Sequence, residues 1–181
     1  MLYYHLKILF LARLIGKFME LSQEVKKEID HWLTKFPANQ RRSAVVAALL
    51  AVQEENGGWI PDEGMNAVAE YLGIPPIEVF EVATFYDMYE LKPIGKHKIG
   101  LCTNVSCMLR GSDDLVEYFK KRLNIGLGET TPDGAFTLRE CECLGACAAA
   151  PVCQVNDKVY YEDLTVEKIA QLIDQLERKV D

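Results

Sequence analysis

The sequence predicts an α+β protein in two parts, a helical bundle followed by a smaller unit of strands and helices. Three observations predict it. From Ser22 to about Leu91, apolar residues recur at spacings of three and four, the period of an amphipathic helix. At Lys92-Pro93-Ile94-Gly95 that texture stops. Beyond it, short apolar runs bounded by turn residues alternate with two further helical patterns. The expected division is 19–92 and 93–181, with residues 1–18 as an N-terminal extension.

In the first part, Val25, Ile29, Trp32 and Leu33 mark one helical face, and Phe36-Pro37 ends that helix because the residue before proline avoids the α region. A second helix is expected over Arg41–Glu55 with Val45, Val46, Leu49, Leu50 and Val52 inward, stopped by Asn56-Gly57-Gly58. Pro61 opens a third through Met65, Val68, Ala69 and Leu72, and Gly73 closes it. Pro75-Pro76 introduces a fourth through Val79, Phe80 and Val82. The run Phe85, Tyr86, Met88, Tyr89 reads equally as core or as interface, because aromatics dominate both. His31 has polar neighbours and reads as solvated surface.

In the second part, His97–Cys102 reads as a strand. Ser112–Leu123 reads as a helix with Ser112 as its N-cap and Asp113 and Asp114 in the first turn, where the helix dipole favours acids. Ala135 to about Glu142 is a second strand, and a further helix is conceivable within Asn124–Gly134. Val152–Val155 and Lys158–Tyr161 form a hairpin turning at Asn156-Asp157. Thr165–Val180 closes the chain as an amphipathic helix with Val166, Ile169, Leu172, Ile173 and Leu176 inward. Four strands and two helices in this order suggest a thioredoxin-like sandwich.

Composition narrows the function. The 181 residues are 49% hydrophobic and 26% charged, which suits a buried core and excludes disorder for most of the chain. A net charge of −7 gives no basic excess to neutralise a nucleic-acid backbone. No Gly-x-Gly-x-x-Gly or phosphate loop follows a strand, so the sequence places no NAD, FAD or nucleotide on this chain. The N-terminal extension holds Lys7, Arg13 and Lys17 and no acid. Its apolar run Ile8–Ile15 is interrupted by Arg13, is far shorter than the roughly 20 residues of a membrane span, and leads to no small-residue cleavage site. It reads as an amphipathic helix lying on a membrane or partner, or as sequence upstream of a start at Met19.

Six cysteines are the unusual count. Without a secretory signal they are not read as three disulfides but as metal ligands or redox thiols. Cys102-Thr-Asn-Val-Ser-Cys107 and Cys143-Leu-Gly-Ala-Cys147 form two pairs, each expected where a strand runs out into a loop. Their spacings are long for zinc knuckles. A [2Fe–2S] cluster takes two thiolates on each of two irons, and carries a net charge of about −2 oxidised and −3 reduced. That charge needs N–H donors at the sulfurs, which Gly145 and the small residues around it permit by letting backbone approach. Spacing therefore favours [2Fe–2S] and leaves open zinc and buried or regulatory thiols. Cys141 and Cys153 read as small buried hydrophobes. No Cys-x-x-Cys redox dithiol is present.

The strings Gly73-Ile-Pro-Pro, Glu81-Val-Ala-Thr-Phe-Tyr86, the Cys102–Cys107 segment with Leu109-Arg110-Gly111, and Glu142-Cys-Leu-Gly-Ala-Cys147 with Ala150-Pro151 carry a resemblance. From about Glu24 onward the chain resembles the 24 kDa subunit family of respiratory NADH:quinone oxidoreductase (complex I), a thioredoxin-like [2Fe–2S] ferredoxin family. The resemblance implies one [2Fe–2S] cluster on Cys102, Cys107, Cys143 and Cys147, with Cys141 and Cys153 outside the ligand set. It implies a helical region followed by a thioredoxin-like ferredoxin domain with no catalytic residues of its own. It implies a flavoprotein partner subunit that holds FMN and the NADH site, within a larger cytoplasmic assembly peripheral to the inner membrane. The same module resembles subunits of NAD-linked hydrogenases and formate dehydrogenases. A free-standing [2Fe–2S] ferredoxin and a zinc-stabilised scaffold are the other classes the sequence leaves.

Overall fold

The computed structural model describes residues 19–178; the readings made for residues 1–18 and for 179–181 lie outside them. The chain divides into two compact units, one ending at Pro93 and one beginning at Ile94.

Four α-helices make up the first unit: α1 (Gln23–Leu33), α2 (Val45–Glu55), α3 (Asp62–Leu72) and α4 (Pro76–Phe85), with a 3-10 turn over Arg41–Ala44 leading into α2. Ser22 caps α1, its hydroxyl accepting from Val25 N–H at 3.1 Å. Gly73 ends α3 in the left-handed conformation that glycine adopts freely. One core joins all four helices through Val25, Ile29, Leu49, Val52, Met65, Val68, Leu72 and Val79. The inward face of α2 differs from the expected one. Val46 and Leu50 are exposed, whereas Ala44, Val45, Ala48, Leu49 and Val52 are buried. The small residues Ala44 and Ala48 line the buried stripe, and Val46 and Leu50 fall beside it. Trp32 is likewise outward, its indole N–H donating to Glu28 at 2.8 Å. The aromatic run after α4 splits: Phe85 and Tyr86 are exposed, while Tyr89 is buried with its hydroxyl donating to the Val46 carbonyl at 3.0 Å.

The second unit holds β1 (His97–Cys102), α5 (Val105–Leu109), α6 (Ser112–Leu123), β2 (Phe136–Cys141), β3 (Cys153–Val155), β4 (Val159–Tyr161) and α7 (Val166–Glu177). The sheet order is β2-β1-β3-β4, with β1 parallel to β2 and antiparallel to β3. All six residues of β1 are buried, as its inner place requires. A single core gathers Ile99 and Leu101 of β1, Phe119 of α6, Leu138 of β2, and Ile169, Leu172 and Ile173 of α7. Thr165 caps α7 as its hydroxyl accepts from Lys168 N–H.

Three local expectations are corrected. The segment from Cys102 to Cys107 is not an open loop, because Asn104 caps the short helix α5, its Oδ1 accepting from Val105 N–H at 2.8 Å. Ser112 is not the cap of α6. Gly111, at φ 91°, takes that position, and Ser112 is the buried first helical residue, with no hydrogen-bond partner for its Oγ among the described residues. No helix lies between Asn124 and Gly134; there, Thr130 bridges Thr137 of β2.

Candidate metal centre

Strand β1 ends at Cys102 and β2 ends beside it at Cys141, their last paired position. Past that point, two segments run on at the same edge of the sheet. The first carries Thr103, Asn104 and α5, which brings Cys107 back toward Cys102. The second carries Cys143 through Gly145 to a 3-10 turn over Cys147–Ala149. Cys102 and Cys107 are buried at 3% and 1% exposure, packed with Ala150 and Val152 and flanked by Leu144 and Ala146. Cys143 and Cys147 are exposed.

Of the predicted ligands, Cys107 has both Cys102 and Cys147 as near neighbours. Burial pushes the Cys107 thiol above its usual range, and its hydrogen bond with Cys102 and the nearby charge of Cys147 push the same way; a hydrogen bond with the Val152 backbone opposes them. A buried thiol such as Cys107 is costly to ionise in isolation and gains from a cationic centre. Cys143 is held within its own loop, where its Sγ accepts from Gly145 N–H at 3.4 Å. Gly145 reaches that orientation at φ 72°, a left-handed conformation that other residues adopt only with strain. This is the backbone donor expected at a thiolate. Among the described residues, no three His, Cys, Asp or Glu side chains are grouped as ligands of one metal ion. The donor set fits a two-iron cluster, which takes its thiolates in pairs.

The other two cysteines lie inside the sheet. The Cys141 side chain lies across Gly100 of β1: a β-carbon at Gly100 would come within 2.6 Å of its Sγ. Cys153 is fully buried in β3, with Cys141 near it. Burial, with a smaller push from Cys141, drives the Cys153 thiol up to about 12.

Sequence reading missed the contacts between the two segments. Asn104 Nδ2 donates to the Glu142 carbonyl at 2.8 Å, and Arg110 Nη1 donates to the Ala148 carbonyl at 3.2 Å. Thr103 Oγ1 donates to Glu140 Oε1 at 2.7 Å. An asparagine two residues past a strand-end cysteine was the available signal, as a cap for a short helix.

A four-stranded thioredoxin-like unit with two cysteine pairs at one sheet edge defines a class of thiol-ligated domain. The chain belongs to the thioredoxin-like [2Fe–2S] ferredoxin family, which matches residues 29–177. It is 47% identical over 161 residues to the E subunit of the NADH-quinone oxidoreductase of Rickettsia conorii, covering 89% of this chain and 92% of that one. It is 43% identical over 157 residues to the mitochondrial NADH dehydrogenase [ubiquinone] flavoprotein 2 of Dictyostelium discoideum, covering 87% of this chain and 63% of that one. Among solved structures, an air-oxidised NAD+-reducing [NiFe]-hydrogenase matches with a TM-score of 0.64 at 20% identity. That match covers 74% of this chain and 23% of the hydrogenase chain, and speaks to the fold.

Proposed function

We propose that this chain is an electron-transfer subunit of NADH:quinone oxidoreductase, carrying one [2Fe–2S] cluster next to the FMN of the NADH-oxidising module. The observation that carries the reading is the 47% identity to the Rickettsia conorii relative over 92% of that protein, with the two cysteine pairs at one sheet edge. Cys102, Cys107, Cys143 and Cys147 are the ligands. When bound, the cluster supplies storage for one electron. The chain's own residues hold the thiolates, and the Gly145 N–H lowers the charge on the Cys143 sulfur. Small residues at the edge bring backbone close, and the buried first pair keeps water from two of the four sulfurs. The chain makes and breaks no bonds itself; the oxidoreductase reaction belongs to the assembly.

FMN and NADH are placed on a flavoprotein partner subunit. No described helix is long and apolar enough to cross a membrane. In this reading the chain is held at the membrane by the complex, on the cytoplasmic side. The sequence resemblance leaves a second reading, the equivalent subunit of an NAD-linked hydrogenase or formate dehydrogenase; the likeness to a NAD+-reducing hydrogenase at 20% identity is one of fold. Affinity purification of the native complex separates the two. Flavoprotein together with quinone-reducing subunits is the expected outcome, and a [NiFe] subunit or a formate-oxidising subunit would replace it with the second reading. Phe85, 78% exposed, is the better probe of the docking face than the buried Tyr89. Phe85→Glu is expected to abolish flavoprotein capture and leave the cluster spectrum unchanged, whereas a charge at Tyr89 strikes the core. Recovery of full capture by Phe85→Glu would remove that face from the interface.

A further inference from the structure

We infer that Asn104 and Arg110 are positioning residues that clamp the second cysteine pair against the first; the inference rests on the ligand assignment proposed above. Both donate from the first segment to backbone carbonyls of the second, and both bonds span 38 residues of sequence. Their acceptors bracket the second pair: Glu142 immediately precedes Cys143, and Ala148 immediately follows Cys147. Their own positions bracket Cys107, one at each end of α5. The need for such a clamp follows from the backbone. The β1–β2 ladder ends at Cys102 and Cys141, with Thr103 N–H donating once more to the Cys141 carbonyl at 3.3 Å. From Glu142 to Ala146 no strand or helix holds the segment. The Asn104 bond therefore continues the pairing by one side chain, and Arg110 closes the far end.

Asn104 does two jobs with one amide. Its Oδ1 caps α5 through Val105 N–H while its Nδ2 reaches Glu142, so the two bonds together fix the orientation of the amide. Arg110 adds a charge as well as a bond. Its guanidinium sits beside the residue after Cys147, where a cation favours the more negative, reduced state of a cluster. Groups of this kind, one bond removed from the ligands, commonly change metal affinity about 10- to 100-fold when lost.

The two jobs of Asn104 can be separated. Asn104→Asp keeps the capping oxygen but replaces the donor to Glu142 with an acceptor and adds a negative charge, while Arg110→Gln removes the charge and shortens the reach to Ala148. In the full-length chain with its cluster, both variants are expected to release iron to a chelator about tenfold faster or more than the parent. Far-UV circular dichroism and the urea midpoint of the cluster-free chain should stay near those of the parent. Arg110→Gln is expected to lower the reduction potential, and Arg110→Lys, which keeps the charge, to restore most of it. Release rates equal to the parent's in both variants would overturn the clamp. So would a release rate that merely follows a fallen urea midpoint in Asn104→Asp while Arg110→Gln stays at the parent's rate. A parent chain that binds no iron at all would instead overturn the ligand assignment on which the clamp rests.

Discussion

The two cysteine pairs are built differently. Cys102 and Cys107 come from the end of a buried strand and from a short capped helix, and both are buried. Cys143 and Cys147 come from a turn and a 3-10 segment, and both are exposed. The first pair is placed by the sheet and its packing. The second is placed by single bonds: Gly145 N–H on the Cys143 sulfur, Asn104 on Glu142 and Arg110 on Ala148. A fold thus fixes half of a site rigidly and leaves the other half to side chains from across the gap.

The largest expected effect comes from setting the pairs against each other. Cys107→Ser puts a hydroxyl among Ala150, Val152 and Cys102 and removes a buried ligand, and iron content should fall to background. Cys143→Ser, at an exposed site with room to adjust, should retain a cluster with shifted EPR g-values, because a hydroxyl oxygen donates less electron density than thiolate. Iron analysis and EPR giving the same result for both would dissolve the distinction between rigid and adjustable halves.

A smaller effect tests how tightly the sheet holds the strand ends beneath the site. Gly100→Val forces a β-carbon against Cys141 Sγ, and is expected to cost about 1–3 kcal/mol in urea unfolding. Adding Cys141→Ala should recover a good part of that loss, since residues in contact couple. An additive double mutant would show that the collision is not the cause.

Smaller still is the pH effect of the buried non-ligand thiol. The Cys153 thiol is raised from 9.0 to about 12, so the folded state favours the neutral form. Its contribution is whole below pH 9.0 and is lost as pH rises toward about 12. The stability of Cys153→Ala should therefore fall less steeply over that alkaline range than the parent's. The smallest effect is on the cluster itself: Cys141→Ser and Cys153→Ser should leave iron content and g-values unchanged, and loss of the cluster in either would revise the ligand set.

Much of this was legible in the sequence where a local rule dominates. The stop at Gly73 and the start at Pro76 follow from residue type, whereas the cap expected at Ser112 fell to Gly111. The parallel pairing of β1 with β2, by contrast, is a tertiary choice that no local pattern states. The inward face of α2 was misread because Val46 and Leu50 are apolar and Ala44 and Ala48 are small. Burial follows the helix's angular position among its neighbours, and apolar side chains also occur on surfaces. Tyr89 turned inward because its hydroxyl finds the Val46 carbonyl, a bond between residues 43 apart. At the site, spacing pointed to the four thiols and to the Gly145 donor. The contacts of Asn104 and Arg110 depend on two segments meeting at one sheet edge, which only the fold supplies.

The most direct test of the central assignment is metal and sulfide analysis of the full-length chain purified without oxygen. Two irons and two acid-labile sulfides per chain are expected, with a reddish-brown spectrum that bleaches on one-electron reduction. Stoichiometric zinc with no labile sulfide would contradict it.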